Sequence, residues 1–524
     1  MGNKVKNAIT AFFAPSSKGK GINDYEIYLS AQKEKHTKQD FEYKPLISVV
    51  VNRADKKLKA SLEKQDYDNW ELVQNGEKTS GDFVLLLTDD CVLEEDALSC
   101  FAAEINKNAR IDMIYSDEDE INEKQERVNP LFKPDYSEIT LLSYNFIGAA
   151  MLISKEIFAK LSDADLSNED SLYDTALRCV AYSDVIIHIK KVLVSRRKKR
   201  GVISKEGGLY AIKSYLQYRR RSMLMDEGLV KGTFCVQEVS KKKKSLGIVI
   251  VSGGDILALR RLLESIEECV FHMTKKIVVI RFGINDAREK AYCDLLEKSG
   301  AVKMIYSEER NYSKLCNVGA RENDCDVLMF LNPNMEIISP FHIKNLMENL
   351  NSEKVGAVAC KIVDKGGKLS DCGITVGLDG TYGCLYTGEK NDFEDDVKNR
   401  FVNVKREVTA VSANSFTIRR DVFFDAGGFD ETIKTPDAAI ELSLRLKRRG
   451  FFNVYDPRAV MIKHEDGFEW ERSENDKIRM YDALRQMLIT GDPCYNPNYD
   501  YACLIPMVAV NVYPPIELNE NYSK

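Results

Sequence analysis

The chain has 524 residues, 44% of them hydrophobic and 30% charged, with 81 acidic against 75 basic side chains. That length exceeds what one hydrophobic core organises, so two or three domains are expected, and the composition excludes a disordered chain. A net charge of −6 excludes a general nucleic-acid binder, whose affinity needs a basic face.

In chain order, residues 1–44 read as an N-terminal helical extension, and no apolar stretch follows their first lysines, so no secretory signal is expected. Residues 45–239 read as a first α/β domain. A strand "SVVV" (48–51) precedes a helix "LKASLEKQ" (58–65), and a second apolar run, "FVLLL" (83–87), ends in the acidic turn Thr88-Asp89-Asp90-Cys91. An acidic stretch "YSDEDE" (115–120), a helix beginning near Glu169 and Asp170, and a basic run "SRRKKR" (195–200) follow. The run "SKKKKS" (240–245) is charged, cannot bury itself, and reads as a linker. Residues 246–470 read as a second α/β domain, in which "VLMFL" (327–331) ends in Asn332 and Asn334 instead of aspartates. Residues 471–524 read as a C-terminal helix and tail, and their apolar window "ACLIPMVAVNV" (502–512) is too short to span a bilayer. The 13 cysteines show no C-x-x-C pair and no zinc spacing, which fits small buried hydrophobes in a reducing compartment. A cytoplasmic protein is expected, with peripheral contact at the membrane's inner face allowed by the basic run.

The two domains repeat one plan. "SVVV" answers to "GIVIV" (247–251), "AAMLISKEIF" (149–158) to "SANSFTIRRDVF" (412–423), and "YDTALR" (173–178) to "IELSLR" (440–445). Asp90 and Asn334 stand 244 positions apart, and Arg178 and Arg445 stand 267 apart, a near-constant offset that indicates tandem duplication. Each copy reads as an α/β domain with a mostly parallel sheet. From first strand to turn, the second copy takes 86 positions and the first only 43, so the first lacks about a strand-helix-strand of chain beside the crevice where open α/β sheets bind ligands.

Several stretches carry a resemblance. In the first copy they are "GDFVLLLTDDCVLEEDAL", "DMIYSDEDEI", "LFKPDYS" and "LLSYNFIGA". In the second they are "NYSKLCNVGA", "VLMFLNPNMEI", "VGAVACKI", "DVFFDAGGFDE" and "NVYDPRAVMIKHED", followed by the tail "DPCYNPNY" (492–499). Together these resemble the family-2 glycosyltransferases of the GT-A fold, in particular tandem-domain members linked to O-antigen and other surface polysaccharides. The resemblance implies two tandem GT-A-like domains of the nucleotide-diphospho-sugar transferase kind. It implies inverting transfer from a nucleotide-sugar donor to a glycan acceptor, with other glycan-assembly enzymes as partners. It also implies Mg²⁺ or Mn²⁺, because a leaving diphosphate needs its charge neutralised by a hard cation on carboxylate oxygens.

Carried over residue by residue, the family's roles fall unevenly. Asp90, with Asp89, matches the metal side of the first turn, while Thr88 and Cys91 stand where acids are usual. Direct register puts Leu172 at the general-base position; Glu169 and Asp170 could serve if two residues were inserted there. Asp117, Glu118, Asp119 and Asn145 fall among the substrate contacts, and His464 matches the family's late histidine near the diphosphate. The nucleoside-binding acid of the first copy would fall in the missing segment. In the second copy Arg281 or Phe282 stands at that place, Asn334 at the metal aspartate and Ala439 at the base. An amide brings no negative charge and an alanine takes no proton, so the second copy reads as a retained shape. Plainer readings stand beside these: a solvated turn at Asp89-Asp90, an exposed acidic loop at "YSDEDE", a surface histidine at His464, and a solvated, lipid-facing or phosphate-facing loop at "SRRKKR". Two functions remain open: a glycosyltransferase working through its first module, or a catalytically inactive paralogue that binds a glycan or a partner enzyme.

Overall fold

The computed structural model describes residues 24–34 and 41–509, apart from 162–163, 241, 254–255, 272, 284–285 and 467. The remainder of the two expected terminal extensions lies outside the described residues.

In the first module, β1 (Ile47–Val51), β2 (Trp70–Gln74), β3 (Phe83–Leu87), β4 (Cys91–Leu93), β5 (Met113–Ile121), β6 (Arg127–Leu131), β7 (Ala150–Ser154) and β8 (Ile186–Arg196) form one sheet. Its order is β2-β1-β3-β7-β5-β8-β4, with β6 on β5. The hairpin of β9 (Met223–Glu227) and β10 (Phe234–Glu238) follows. The second module builds its sheet from β11 (Leu246–Ser252), β12 (Lys275–Phe282), β13 (Lys303–Ser307), β14 (Val327–Leu331), β15 (Met335–Ile337), β16 (Val355–Asp364), β17 (Leu369–Asp371), β20 (Arg406–Val408), β21 (Ser415–Arg419) and β22 (Phe452–Lys463), and β18 (Ile374–Val376) pairs with β19 (Tyr382–Cys384) in a separate hairpin. The sheet order is β13-β12-β11-β14-β21-β16-β22-β15, with β17 on β16 and β20 on β22. Strand for strand the two orders coincide, except that the second carries β13 on its edge.

The register repeats as well. Ile47 faces Phe83 in one sheet, and Leu246 faces Val327 in the other. Cys91 faces Arg196 and Met335 faces Lys463, which reproduces the separations of 244 and 267 positions. The central strands β1 and β3, like β11 and β14, are buried at every residue because helices cover both faces of the sheet.

The shortening differs from the expected strand-helix-strand. The first module keeps β2, paired parallel to β1 as β12 is to β11, and lacks the counterpart of β13 with the helices Ala287–Lys298 and Tyr312–Arg321. The strand equivalent to β12 is therefore present as β2, and the register sets Gly76 and Glu77 where the second copy has Arg281 and Phe282. Asn75 Nδ2 is spent on Asn52 Oδ1 (2.8 Å) and Ala164 O (2.6 Å). Left as an edge, β2 is short and half-exposed and carries Glu71, features that discourage pairing with another chain.

The modules share a core. Tyr25 and Tyr28, on the helix Asp24–Glu34, pack with Phe132 of the first module and with Tyr495 and Tyr499 of the tail. Phe132 meets Tyr499 edge-on at 5.1 Å, and Phe401 of the second module lies 6.0 Å from the same ring. Backbone bonds cross too: Asp135 N donates to Pro493 O (2.9 Å). No described helix is long and apolar enough to cross a membrane.

Candidate functional site

At the carboxyl edge of the first sheet, β3 ends at Thr88 and the chain turns through Asp89 and Asp90 into β4, which pairs with the end of β8. Asp90 is 9% exposed. Its Oδ1 accepts from Thr88 Oγ1 (2.7 Å), and its Oδ2 faces Arg196 Nε at 3.3 Å. Asp89 Oδ1 accepts from Arg53 N (2.8 Å). Arg197, the register counterpart of His464, binds both turn carbonyls, Asp90 O (3.1 Å) and Asp89 O (2.8 Å), and pairs with Asp55 (2.6 Å).

Arg196 ties this turn to the helix Glu169–Tyr182, which begins on an Asn168 cap. Glu169 Oε1 accepts from Arg196 Nη2 (2.7 Å) and from Gly201 N (3.1 Å). Burial works against the charge of Arg196, yet Glu169 and Asp90 hold its guanidinium above its ordinary value. Asp170 is committed elsewhere: its carboxylate accepts from Ser204 N (2.7 Å) and Oγ (2.6 Å), fixing the cap of the helix Lys205–Tyr218. The direct register holds without an insertion. Leu172, Tyr173, Thr175, Ala176 and Leu177 are buried where Ala439, Ile440, Leu442, Ser443 and Leu444 are buried in the second copy. Leu172, 1% exposed, thus stands where Ala439 stands in the second copy.

The acids of "YSDEDE" form no exposed loop; they are buried within β5. Asp117 accepts from Lys133 N (2.8 Å), Asn498 Nδ2 (3.0 Å) and Asn496 Nδ2 (2.9 Å), and pairs with His188 Nε2 (2.9 Å). Asp119 binds Tyr25 Oη and Arg127 Nε, both at 2.6 Å. Glu120 receives Arg200 N (3.0 Å) and Asn129 Nδ2 (2.9 Å). Glu118 pairs with Lys133 Nζ (3.1 Å) and accepts from Ala149 N (2.9 Å), while its Oε1 has no hydrogen-bond partner. Burial opposes the charge of Glu118, but Lys133, Arg200 and Arg196 outweigh it and hold the carboxyl down at about 2. Burial pulls the Lys133 ammonium down against the attraction of Glu118. The ionised pair is the state the contacts support, since Lys133 Nζ also donates to Ile147 O (2.6 Å). Gly148 stands against the Glu118 carboxylate at φ +82°, leaving no room for a side chain.

Several of these side chains border one cavity of about 960 Å³. Glu118, Asn145, Glu169, Arg196 and Arg200 line it from the first module, and Tyr386, Asn399 and Arg400 line it from the second. Asn145 Oδ1 also accepts from Gly148 N (3.3 Å). Of the residues expected from sequence, Glu118, Asn145 and Glu169 come together in the wall, with Asp90 behind Arg196. Asp117, Asp119, Asp170 and His464 do not line it. Arg196 and Arg200 were not singled out from sequence, where the run "SRRKKR" as a whole reads as a solvated, lipid-facing or phosphate-facing loop; both line the cavity instead of lying in solvent. A signal was present in the adjacency of Arg196 to the position equivalent to His464.

The second module's equivalent edge is closed. Asn334 Nδ2 donates to His464 O (3.0 Å), and His464 Nε2 pairs with Glu336 Oε2 (2.6 Å). Arg281 is fully buried, with Nη1 on Ser252 Oγ and Nη2 on Glu289, each at 2.9 Å. Phe282, beside it, is packed by Phe468 (5.0 Å) and Trp470 (5.3 Å), and Trp470 also meets Tyr312 (5.5 Å). Ala439, the counterpart of Leu172, is fully buried.

Neither turn fits a divalent cation. The Asp90 oxygens are taken by Thr88 and Arg196, and the second turn is neutral. Among the described residues no group of three or more His, Cys, Asp or Glu is placed to hold a metal.

No protein-family model matches the chain. Over 444 residues it is 25% identical to the uncharacterized protein y4gI of Sinorhizobium fredii (strain NBRC 101917 / NGR234), covering 80% of this chain and 48% of that protein. Over 436 residues it is 25% identical to the O-antigen biosynthesis protein RfbC of Myxococcus xanthus, covering 80% of this chain and 34% of that one. The chain therefore spans less than half the length of these curated relatives. Among solved structures it is similar to GalNAc-T7 with UDP, GalNAc and Mn²⁺ (16% identity, 48% of this chain, 49% of that chain, TM-score 0.39). It is also similar to the mannosyltransferase PcManGT from Pyrobaculum calidifontis with GDP-Man and Mn²⁺ (12%, 50% and 74%, TM-score 0.34). A third is S. aureus TarS 1-349 (11%, 47% and 65%, TM-score 0.31).

Proposed function

We propose that this chain is a family-2 glycosyltransferase-like protein of cell-surface polysaccharide assembly, and that its first module binds a nucleotide-sugar donor. The observation that carries the reading is the contrast between two equivalent sheet edges. The first opens on a charged cavity of about 960 Å³, and the second is filled by Phe282, Phe468 and Trp470. Ligands of open α/β sheets bind at this edge. The similarity to an O-antigen biosynthesis protein supports the substrate class.

Inverting transfer needs a base to take the proton of the acceptor hydroxyl as it attacks the sugar. With Leu172 at the usual position and Asp170 tied to Ser204, Glu169 is the carboxylate that reaches the cavity from this helix. Its Oε1 is paired with Arg196 Nη2 (2.7 Å). The Asp90 oxygens, already engaged by Thr88 and Arg196, leave no open carboxylate here for a divalent ion. Glycan acceptor, other glycan-assembly enzymes and a cytoplasmic place at a membrane's inner face complete the proposal.

A non-catalytic reading is favoured by one specific observation: Leu172 and Ala439 leave both base positions without a proton acceptor. Incubating the full chain with a panel of nucleotide sugars and glycan acceptors separates the two. Transfer is expected, and Glu169→Gln should slow it by about 10²–10⁴-fold with donor affinity retained. Donor binding without transfer in wild type would favour the scaffold, and no donor binding would overturn the proposal.

A further inference from the structure

The cavity wall holds two guanidinium groups, one from each module, whose hydrogen-bonding capacity the protein does not use up. Arg200 donates through Nε to Glu120 Oε1 (3.3 Å) and through Nη2 to Asn129 O (2.9 Å). Its Nη1 is buried without a partner. Arg400, on the second module's helix Asp396–Val402, makes no hydrogen bond or ion pair among the described residues. Both line the same cavity, and burial, with Arg400 next, holds Arg200 below its ordinary value. The hydroxyl of Tyr144 lies in the same field, and so does that of Tyr499: burial raises both phenols, while Arg400 and Arg200 act to lower them.

Two guanidinium groups lining one partly enclosed space repel, and keeping both there is unfavourable unless an anion joins them. The cavity's carboxylates do not fill that role. Glu118 pairs with Lys133 and lies 4.0 Å from Arg200, Glu120 pairs with Arg200 and Glu169 with Arg196, none of these pairs includes Arg400, and Asp395 caps its own helix at Lys398 N (2.9 Å). Asp396 and Asp24 are exposed at the rim. Guanidinium forks match phosphate oxygens in pairs, and two such forks supply the charge that a diphosphate otherwise takes from a metal.

We infer that Arg200 and Arg400 form a composite anion site, built across the two modules, that takes a diphosphate group without a divalent metal. The inference rests on the donor-binding reading of this cavity and deepens it. It also gives the second module a task that needs no nucleotide chemistry of its own: to present Arg400 to the first module's ligand.

The test is calorimetric titration of the full chain with inorganic pyrophosphate in EDTA. Wild type should bind, and Arg400→Ala should weaken binding by about tenfold or more. Arg400 has no internal partner to lose, so this variant should melt as wild type does. Lys198→Ala, an exposed neighbour outside the cavity, should bind as wild type. Binding that appears only when Mn²⁺ is added, or that Arg400→Ala leaves unchanged, would overturn the inference. Pyrophosphate carries neither sugar nor base, so pyrophosphate binding with no sugar transfer leaves this site standing and removes the catalytic proposal. Transfer without metal-free pyrophosphate binding does the reverse.

Discussion

Asp117→Ala is expected to destabilise the protein by roughly 3–5 kcal/mol and to loosen the C-terminal tail from the first module. The carboxylate is fully buried and collects Asn496 and Asn498 from the tail, Lys133 N from the loop after β6, and His188 from β8. Removing it leaves Lys133 N, one N–H of each of Asn496 and Asn498, and Nε2 of His188 without their acceptor. His188 Nδ1 keeps Asp135, and the two amides keep Lys133 O and Lys190 O. Stranding buried groups costs more than the bonds themselves. Urea unfolding gives the loss, and limited proteolysis should cut near residues 492–509 sooner than in wild type.

The pH dependence gives that prediction a sign. Burial opposes the charge of His188, but Asp117 and then Asp135 raise it above its ordinary 6.5. A raised folded value means that the contribution to stability is complete below pH 6.5 and is lost as pH rises through the folded value. Wild type should therefore lose stability on going alkaline in that range. The slope should flatten in Asp117→Ala.

Lys133→Met should have an effect of similar size, roughly 3–5 kcal/mol, because it strands Glu118. Both partners are 1% exposed, and water cannot replace the ammonium. Glu118 is held at about 2 against an ordinary 4.5, so its contribution is present above pH 4.5 and is lost as pH falls to about 2. In Lys133→Met that acid limb should begin at higher pH. The double variant Lys133→Met with Glu118→Leu should recover part of the loss, since a buried pair replaced by apolar groups is often nearly neutral. Equilibrium unfolding of the four proteins across pH measures the coupling; additive losses would show that the two groups do not act as a pair.

The duplication was legible because both copies kept their register: one constant spacing links the turns and another links the helices. The basis of the shortening was only half legible. A difference of 43 positions gives an amount of chain, and only the pairing of β2 with β1 reveals that an edge strand and its helices are what is missing. Asp117 to Glu120 misled for a different reason. Four consecutive acids suggest solvent, and their partners lie far along the chain: Asn496 is 379 positions from Asp117. No local pattern can announce such a pairing. Arg196 was hidden in the same way, since a basic run is ordinarily solvated, and its contacts to Asp90 and Glu169 exist only once β8 has paired with β4. The aromatic closure of the second edge came from Phe468 and Trp470, beyond the end of β22, where no motif pointed.

Hydrogen–deuterium exchange of the full chain, with and without a panel of nucleotide sugars, tests the central claim most directly. Protection by at least one donor is expected at residues 196–203 and 396–402, the two walls of the first-module cavity. Residues 279–283, 332–336 and 464–471 should exchange unchanged. Protection confined to those second-module segments, or no protection by any donor, would contradict the account.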